Sequence, residues 1–200
     1  SAATEKSQYA FNATFFSQDA VVNYQGYQRA SIRLNSSTKT LGDRLEIGEN
    51  FTLSLDNRKG GYQNDGEQNA VSGAYKHHPL LPNYDIAGNF AGSRGLNLRN
   101  NYNPYASQFS NQDDRVRRSR AFGNIYAQLT FAEDFKFKTS FGGNLQNQRS
   151  LDIERPQPEY VEENFINGQT SAHNWEYEWT WTNTLSWKKV INDVHDVSAY

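Results

Sequence analysis

Two adjacent histidines and a cluster of three glutamates are the residues of this 200-residue sequence whose types and spacing could do chemistry. Adjacent His77 and His78 would suit a metal ion, but neighbouring side chains on extended backbone point to opposite sides, and no third ligand follows nearby. Glu159, Glu162 and Glu163 would suit hydrolysis, which needs two carboxyl groups held at a defined spacing across a cleft. A polar loop does not provide that spacing, so we expect no metal, no cofactor and no enzymatic activity.

The composition argues against several further classes of function. The chain has no Cys, which removes disulfides, thiolate metal sites and cysteine nucleophiles. Its net charge is −2, so it lacks the basic footprint of a protein that binds nucleic acid. A dense basic run at 115–120 follows two aspartates, and we interpret it as the solvated end of a loop. Aromatic residues make up 14% of the chain, more than a disordered segment would carry, so apolar side chains must be buried somewhere.

Strict alternation of apolar and polar residues is the strongest pattern in the sequence, and it predicts strands. No apolar run approaches the roughly 18 to 20 residues that a membrane helix needs, so a bilayer would have to be crossed by strands. The predicted strands are 7–16, 28–35, 45–56, 120–131, 135–147, 175–187 and 194–200.

The connections between these strands alternate in length. Short turns are predicted at 36–44, 132–134 and 188–193, and longer polar loops at 17–27, 57–119 and 148–174. Within the longest loop we expect a short helix near Gly66–Lys76, which Pro79 would end. Short turns at one end and long loops at the other are typical of an outer-membrane β-barrel, with the turns in the periplasm and the loops outside the cell.

The apolar faces of these strands suit lipid better than a soluble core. Trp175 and Trp187 are 12 positions apart. On a tilted strand that separation spans roughly 30 Å of bilayer, close to an apolar band of about 25 Å. We therefore expect Trp175, Tyr177 and Trp187 to form membrane girdles. Glu49 is the one charge on the predicted apolar faces, and we expect it on the barrel exterior, against lipid or a partner subunit.

The predicted fold class is all-β: consecutive antiparallel strands of a large transmembrane β-barrel, with residues 1–200 forming part of one barrel domain. The alternative is a secreted β-sandwich that binds carbohydrate, whose strands would be shorter and whose outer faces would carry more charge.

An ordered series of short segments resembles the barrel of SusC/RagA-type TonB-dependent transporters of Bacteroidetes. The segments that carry the resemblance are Glu5–Phe11, Phe15–Asp19, Gly26–Arg29, Leu45–Gly48, Pro79–Asp85, Gly88–Phe90, Asn103–Pro104 and Phe122–Ala127. The series covers most of the chain, although each segment alone is a loose pattern.

The resemblance implies a transporter of the bacterial outer membrane that imports an oligosaccharide or a peptide. Such a barrel has about 22 strands, so this chain would be an excerpt of it. The implied partners are outer-membrane lipid, a SusD-like surface lipoprotein that acts as a lid, and the TonB complex. TonB would act through a plug domain that this sequence does not contain. A barrel of similar build that serves as a scaffold or secretion conduit is the alternative.

Aromatic residues of the longest loop are the candidates for contact with the ligand or the lid, because aromatic faces suit sugar rings and peptide side chains. They are Tyr62, Tyr75, Tyr84, Phe90, Tyr102 and Tyr105. The alternative is that these side chains pack on one another and stiffen the loop.

Overall fold

The computed structural model describes residues 2–61, 70–94, 98, 102–132, 134–192 and 194–200, in which eight strands and two short helices follow one another. The strands are β1 (Ala2–Ala3), β2 (Ser7–Asp19), β3 (Gly26–Thr40), β4 (Leu45–Lys59), β5 (Arg115–Phe131), β6 (Phe135–Glu154), β7 (Gly168–Ile191) and β8 (His195–Ala199). The helices are α1 (Ala70–Lys76) and α2 (Pro104–Ser110). No helix in the described ranges is long and apolar enough to cross a membrane.

All eight strands form one antiparallel sheet in which each strand pairs with the next along the chain. The pairing of β3 with β4 runs without interruption from Gly26–Lys59 to Thr40–Leu45, and the pairing of β6 with β7 joins 20 residues of each strand. Such long hairpins bring distant parts of the sequence to one sheet without any crossover.

The strands extend farther toward the long loops than the sequence pattern predicted. β4 continues to Lys59 and β5 begins at Arg115, so the predicted loop 57–119 shrinks to 60–114. Likewise β6 reaches Glu154 and β7 begins at Gly168, so the predicted loop 148–174 shrinks to 155–167. The prediction failed there because alternation requires one apolar face. Backbone pairing continues where both faces are polar.

The same correction applies to the first two connections. The predicted loop 17–27 is the six-residue turn 20–25, because β2 and β3 pair up to Asp19 and Gly26. The predicted turn 36–44 is the four-residue turn 41–44, where Leu41, Gly42 and Asp43 all have positive φ.

The basic run at 115–120 belongs to β5, so its interpretation as a solvated loop end was wrong. Because alternate residues of a strand face opposite sides, the run divides between the two faces of the sheet. Arg115 and Arg117 share a face with Ala121, whereas Arg118 and Arg120 lie on the other face.

Helix α1 occupies Ala70–Lys76, the second part of the predicted range Gly66–Lys76; residues 66–69 lie outside the described residues. Helix α2 was not predicted, although its start is clear in the sequence. Pro104 occupies the first turn, and the side chain of Asn103 caps the helix by accepting from the backbone N–H groups of Tyr105 and Ala106.

The register sorts the predicted apolar residues of all the long strands onto one face of the sheet. Phe11 pairs with Leu34, and Leu34 pairs with Phe51. Trp179 lies in the same row, through Gly143 and Gly123. We call this surface the apolar face. It carries all four Trp residues of the chain, and the opposite surface is the polar face.

Two aromatic residues that interrupt the polar side of the β5 pattern have structural explanations. The ring of Tyr126 lies over Gly48, where a Cβ atom would stand 2.5 Å from it, and the Tyr126 hydroxyl donates to Glu46. Phe122 lies beneath the guanidinium of Arg120, 5.6 Å from its ring centroid. Both rings therefore cover backbone or charge on the polar face.

The short turns step along the sheet in the way that a barrel requires. Leu185 of β7 lies in the same cross-strand row as Leu45, where the β3–β4 hairpin closes. The β7–β8 hairpin closes only at Ile191. From the first hairpin to the second, the closing point thus moves six residues along the strand direction, at about 3.3 Å each, and four strands across, at about 4.8 Å each. This ratio corresponds to a strand tilt of about 45°. Barrel strands tilt by about 35° to 45°.

Candidate functional site

Side chains on the polar face form hydrogen-bonded rows that cross several strands. Arg120 Nε donates to Asn144 Oδ1 at 2.7 Å, and Asn144 Nδ2 donates to Glu178 Oε2 at 3.1 Å. In the next row Gln146 Nε2 donates to Glu176 Oε2 at 2.9 Å. The rows carry positive charge on β5 and negative charge on β7, so this face suits a polar or charged ligand.

Above the strand ends, five aromatic rings from two connections form a cluster. Its members are Tyr24, Tyr84, Phe90, Tyr105 and Phe109. Ring centroids of Tyr84 and Phe90 are 5.5 Å apart, and those of Phe90 and Phe109 are 5.4 Å apart. Hydrogen bonds from the Tyr24 and Tyr84 hydroxyls lower the pKa of Tyr105. Tyr24 thus links the short turn 20–25 to the long loop.

A tight turn carries two members of this cluster. Tyr84 and Phe90 pair as an antiparallel bridge. Between them the Asp85 carboxylate accepts from the backbone N–H groups of Ala87 and Asn89, each at 2.8 Å. The pKa of Asp85 lies below its ordinary value of 3.8, chiefly because the Asn89 N–H stabilises the charged form. Gly88 has a φ of 82°, which suits a residue without a Cβ.

Asn103 fixes this turn to helix α2. Its Nδ2 donates to the backbone carbonyls of Asn83 at 2.9 Å and Ala91 at 2.7 Å, which are the two ends of the turn. Its Oδ1 accepts from Tyr105 and Ala106 as the helix cap. The side chain is buried, so one amide joins the turn, the helix and the aromatic cluster.

The loop 155–167 packs against the long loop. The rings of Tyr102 and Tyr160 stack with centroids 3.9 Å apart, and Tyr160 is buried. Arg94 pairs with Glu163 at 2.7 Å, and its backbone N–H donates to the Glu159 carbonyl. The two loops therefore form one layer over the ends of the strands.

Asp114 joins that layer to the sheet. Its carboxylate accepts from the backbone N–H of Ile153 at 2.8 Å, and its carbonyl accepts from Gly60 at 2.8 Å. Burial raises the pKa of Asp114. A Cβ on Gly61 would stand 2.4 Å from the Asp114 carboxylate, so the close packing at this junction requires glycine.

The sequence-predicted loop aromatics divide into three groups. Tyr84, Phe90, Tyr102 and Tyr105 are packed against other rings, as the alternative interpretation of mutual packing expected. Tyr75 is 92% exposed on α1 and is free to contact another molecule. Tyr62 lies outside the described residues. Sequence reasoning missed Tyr24, Phe109 and Tyr160, whose partners lie far away along the chain.

The histidines and glutamates considered for chemistry contact backbone groups or Arg94. His77 Nε2 lies 3.0 Å from the carbonyl of Leu81, and His78 Nδ1 accepts from the backbone N–H of Leu80. Within the described ranges no three His, Cys, Asp or Glu residues are grouped as a metal ion would require. Glu159 and Glu163 belong to the junction between the loops, where burial raises the pKa of Glu159.

The predicted girdle residues all lie on the apolar face. Trp175 and Tyr177 are 68% and 75% exposed, and Trp187 lies near the β7–β8 turn. Glu49 lies on this face too, paired with Ser36 and Ile125 in an uninterrupted register. Neither a bulge nor a slip therefore moves Phe51, Leu53 and Leu55 to the polar face.

Comparison with known proteins gives relatives of one kind. No family model matches the chain. It is 28% identical over 156 residues to "TonB-dependent receptor P3" of Formosa agariphila, which covers 74% of this chain and 15% of that protein.

Solved structures of the RagAB peptide importer share the fold. The open-open state matches with a TM-score of 0.74 and the closed-closed state with 0.70, each at 20% sequence identity. Each match covers 98% of this chain and 22% of the matched chain. This chain thus spans less than a quarter of the proteins that it resembles.

These matches confirm the predicted fold class and the resemblance seen in the sequence. The described strands form a single sheet, and the longest has 24 residues, whereas the strands of a soluble sandwich are shorter. The chain is a stretch of consecutive antiparallel strands similar, in sequence and fold, to the barrel wall of TonB-dependent receptors of the SusC/RagA type.

Proposed function

We propose that this chain forms part of the wall and the outer loops of an outer-membrane importer of peptides or oligosaccharides. The observation that carries the proposal is the register, which places the apolar residues of the long strands on one face and the hydrogen-bonded polar rows on the other. The apolar face then meets lipid and the polar face lines the lumen.

The loop layer lies at the ends of the strands opposite the short turns. In an outer-membrane barrel, the long loops at that end face the outside of the cell. Its aromatic cluster and its amide and carboxylate contacts give it a fixed shape. Exposed apolar side chains remain on it, among them Tyr75, Leu80 and Ile86. We propose that these side chains contact the ligand or a SusD-like surface lipoprotein, since exposed apolar groups on a rigid loop favour association.

Energy coupling would be carried by parts of the whole protein other than this chain. A plug domain in the lumen would receive the force of the TonB complex, and the polar rows from Arg120 to Glu178 would face that plug. The relatives are a receptor and an importer by name.

Uptake by the whole protein in cells tests the proposal. Cells that depend on the transporter for a labelled peptide or oligosaccharide should lose accumulation when the full-length protein lacks residues 70–110. The protein should still reach the outer membrane, and its electrophoretic mobility should still change on heating, as that of assembled barrels does. Normal uptake by that deletion variant would contradict a role of the loop layer in import.

A further inference from the structure

The cavity at the loop end of the apolar face is lined by three arginines. They are Arg115, Arg117 and Arg149, and the cavity has a volume of about 580 Å³. Arg117 of β5 is the direct cross-strand partner of Arg149 of β6, so the two side chains leave the sheet from adjacent positions on one face and line the same cavity. Like charges at directly opposed positions of a sheet destabilise it unless something compensates them.

The described residues provide no such compensation. Among the described residues, no carboxylate lies within ion-pair distance of any of the three arginines. Asp113 also lines the cavity, but its carboxylate is bound by Arg155. Arg118 and Arg120, their neighbours on the polar face, hydrogen-bond to Gln148 and Asn144 instead. On the apolar face the three arginines line one cavity, and the described residues give them no carboxylate partner of their own.

The arginines stand at the height of the upper girdle. Arg115 and Trp175 are each 16 positions from the last residue of their strands, Phe131 and Ile191. On strands of equal tilt the two side chains therefore lie at the same level of the bilayer. That level is where the headgroups of the outer leaflet would stand.

An apolar groove lies directly beneath the arginines on the same face, with a volume of about 710 Å³. Small residues, Ala30, Ser119 and Ala121, form its floor. Larger ones rise beside them, among them Phe15, Leu55, Leu145 and Trp175. A groove of this kind fits hydrocarbon chains, and guanidinium groups bind phosphate through paired hydrogen bonds.

We propose that the outward surface formed by Arg115, Arg117 and Arg149 above this groove binds a phosphorylated lipid of the outer leaflet. The phosphate lies between Arg117 and Arg149 and the acyl chains occupy the groove. The site rests on the proposed function in one respect, since it requires that the apolar face meet lipid.

Native mass spectrometry of the full-length protein in detergent tests the site, with diphosphorylated and fully dephosphorylated lipid A as probes. Wild-type protein should retain the diphosphorylated form at least tenfold more than the dephosphorylated form. The double variant Arg117→Gln/Arg149→Gln should lose that preference. The matched double variant Arg118→Gln/Arg120→Gln, on the same sheet but its other face, should keep it.

Equal retention of both lipids by wild-type protein would overturn the inference while leaving the lipid-facing surface intact. Full displacement by millimolar inorganic phosphate would overturn it too, since the groove would then contribute nothing. If neither lipid associates and the protein stays soluble without detergent, the proposed function itself fails. Should the double variant not assemble, Arg149→Gln and Ala121→Trp, which fills the groove, must each lower retention of the diphosphorylated form; normal retention by both contradicts the site.

Discussion

Asn103 holds the two ends of the turn 83–91 together, because its side-chain Nδ2 donates to the carbonyls of both Asn83 and Ala91. We expect Asn103→Ala to release the turn. Loss of the helix cap costs about 1 kcal/mol, and loss of the hydrogen bond to the Ala91 carbonyl adds about 0.5 to 1.5 kcal/mol, whereas the Asn83 carbonyl keeps the Ala91 N–H as a donor. Hydrogen exchange of residues 83–91 and 104–110 in the full-length protein should accelerate while barrel assembly is unchanged.

Asn83→Ala is the matched control, because Asn83 contributes its backbone carbonyl to this contact. Exchange in that variant should equal that of the wild type. Asn103→Asp keeps the acceptor for the helix cap and loses the donor to the turn. In this variant, residues 104–110 should therefore keep more of their protection from hydrogen exchange than residues 83–91. Equal protection of both segments in Asn103→Ala and wild type would contradict the assigned role.

Replacing the exposed tyrosine should weaken binding without loosening the loop, whereas replacing the packed tyrosines should do both. Tyr75→Ala removes a side chain that is 92% exposed, so ligand or lid binding should weaken by roughly tenfold without a change in loop protection. Replacing Tyr84 and Tyr105 together by Ala should weaken binding as well, because it loosens the cluster that supports the loop. Unchanged uptake and lid binding in both variants would remove the loop aromatics from recognition.

Asp114 should make attachment of the loops depend on pH. Burial raises the pKa of its carboxyl above the ordinary value of 3.8, so the folded state binds the proton more tightly than the unfolded state. Its contribution is therefore greatest below about pH 4 and declines as the pH rises through the folded pKa. Hydrogen exchange at residues 60–61 and 151–153, corrected for intrinsic rates, should show less protection with rising pH.

Two substitutions separate the charge of Asp114 from its hydrogen bond. Asp114→Asn keeps an acceptor for the Ile153 N–H and should abolish the pH dependence while preserving protection. Asp114→Ala removes the acceptor and should lower protection at every pH. A pH profile unchanged in Asp114→Asn would assign the effect to another group.

Glu49 provides a test of depth in the membrane. It shares the apolar face with Phe51 and stands four residues above Leu45, about 10 Å from the short turn on a tilted strand. Glu49→Lys should lower the free energy of unfolding by about 1 to 2 kcal/mol, and Glu49→Leu should not lower it. A loss of stability in Glu49→Leu would instead indicate a polar partner at this surface.

The strands could be predicted from the sequence because one face of each long strand must be apolar. Alternation places Trp175 and Glu49 on their correct faces. It stops where β4 and β5 leave the apolar band, so the sequence pattern predicts loop for the end of β4 and the start of β5. Long-range contacts could not be predicted. The stacking of Tyr102 on Tyr160 and the capture of a remote turn by Asn103 depend on how the loops fold over the sheet.

Which face of β7 meets lipid can be measured by the paramagnetic relaxation of spin labels. Single Cys substitutions at 176–181, in a cysteine-free full-length protein reconstituted in bilayers, would each carry a nitroxide label. We expect oxygen to accelerate the relaxation of labels at Tyr177, Trp179 and Trp181, and a water-soluble nickel chelate to leave it unchanged. Labels at Glu176, Glu178 and Thr180 should show the reverse. If neither reagent relaxes the labels at the odd positions, this face of β7 is packed in a protein core and does not meet lipid.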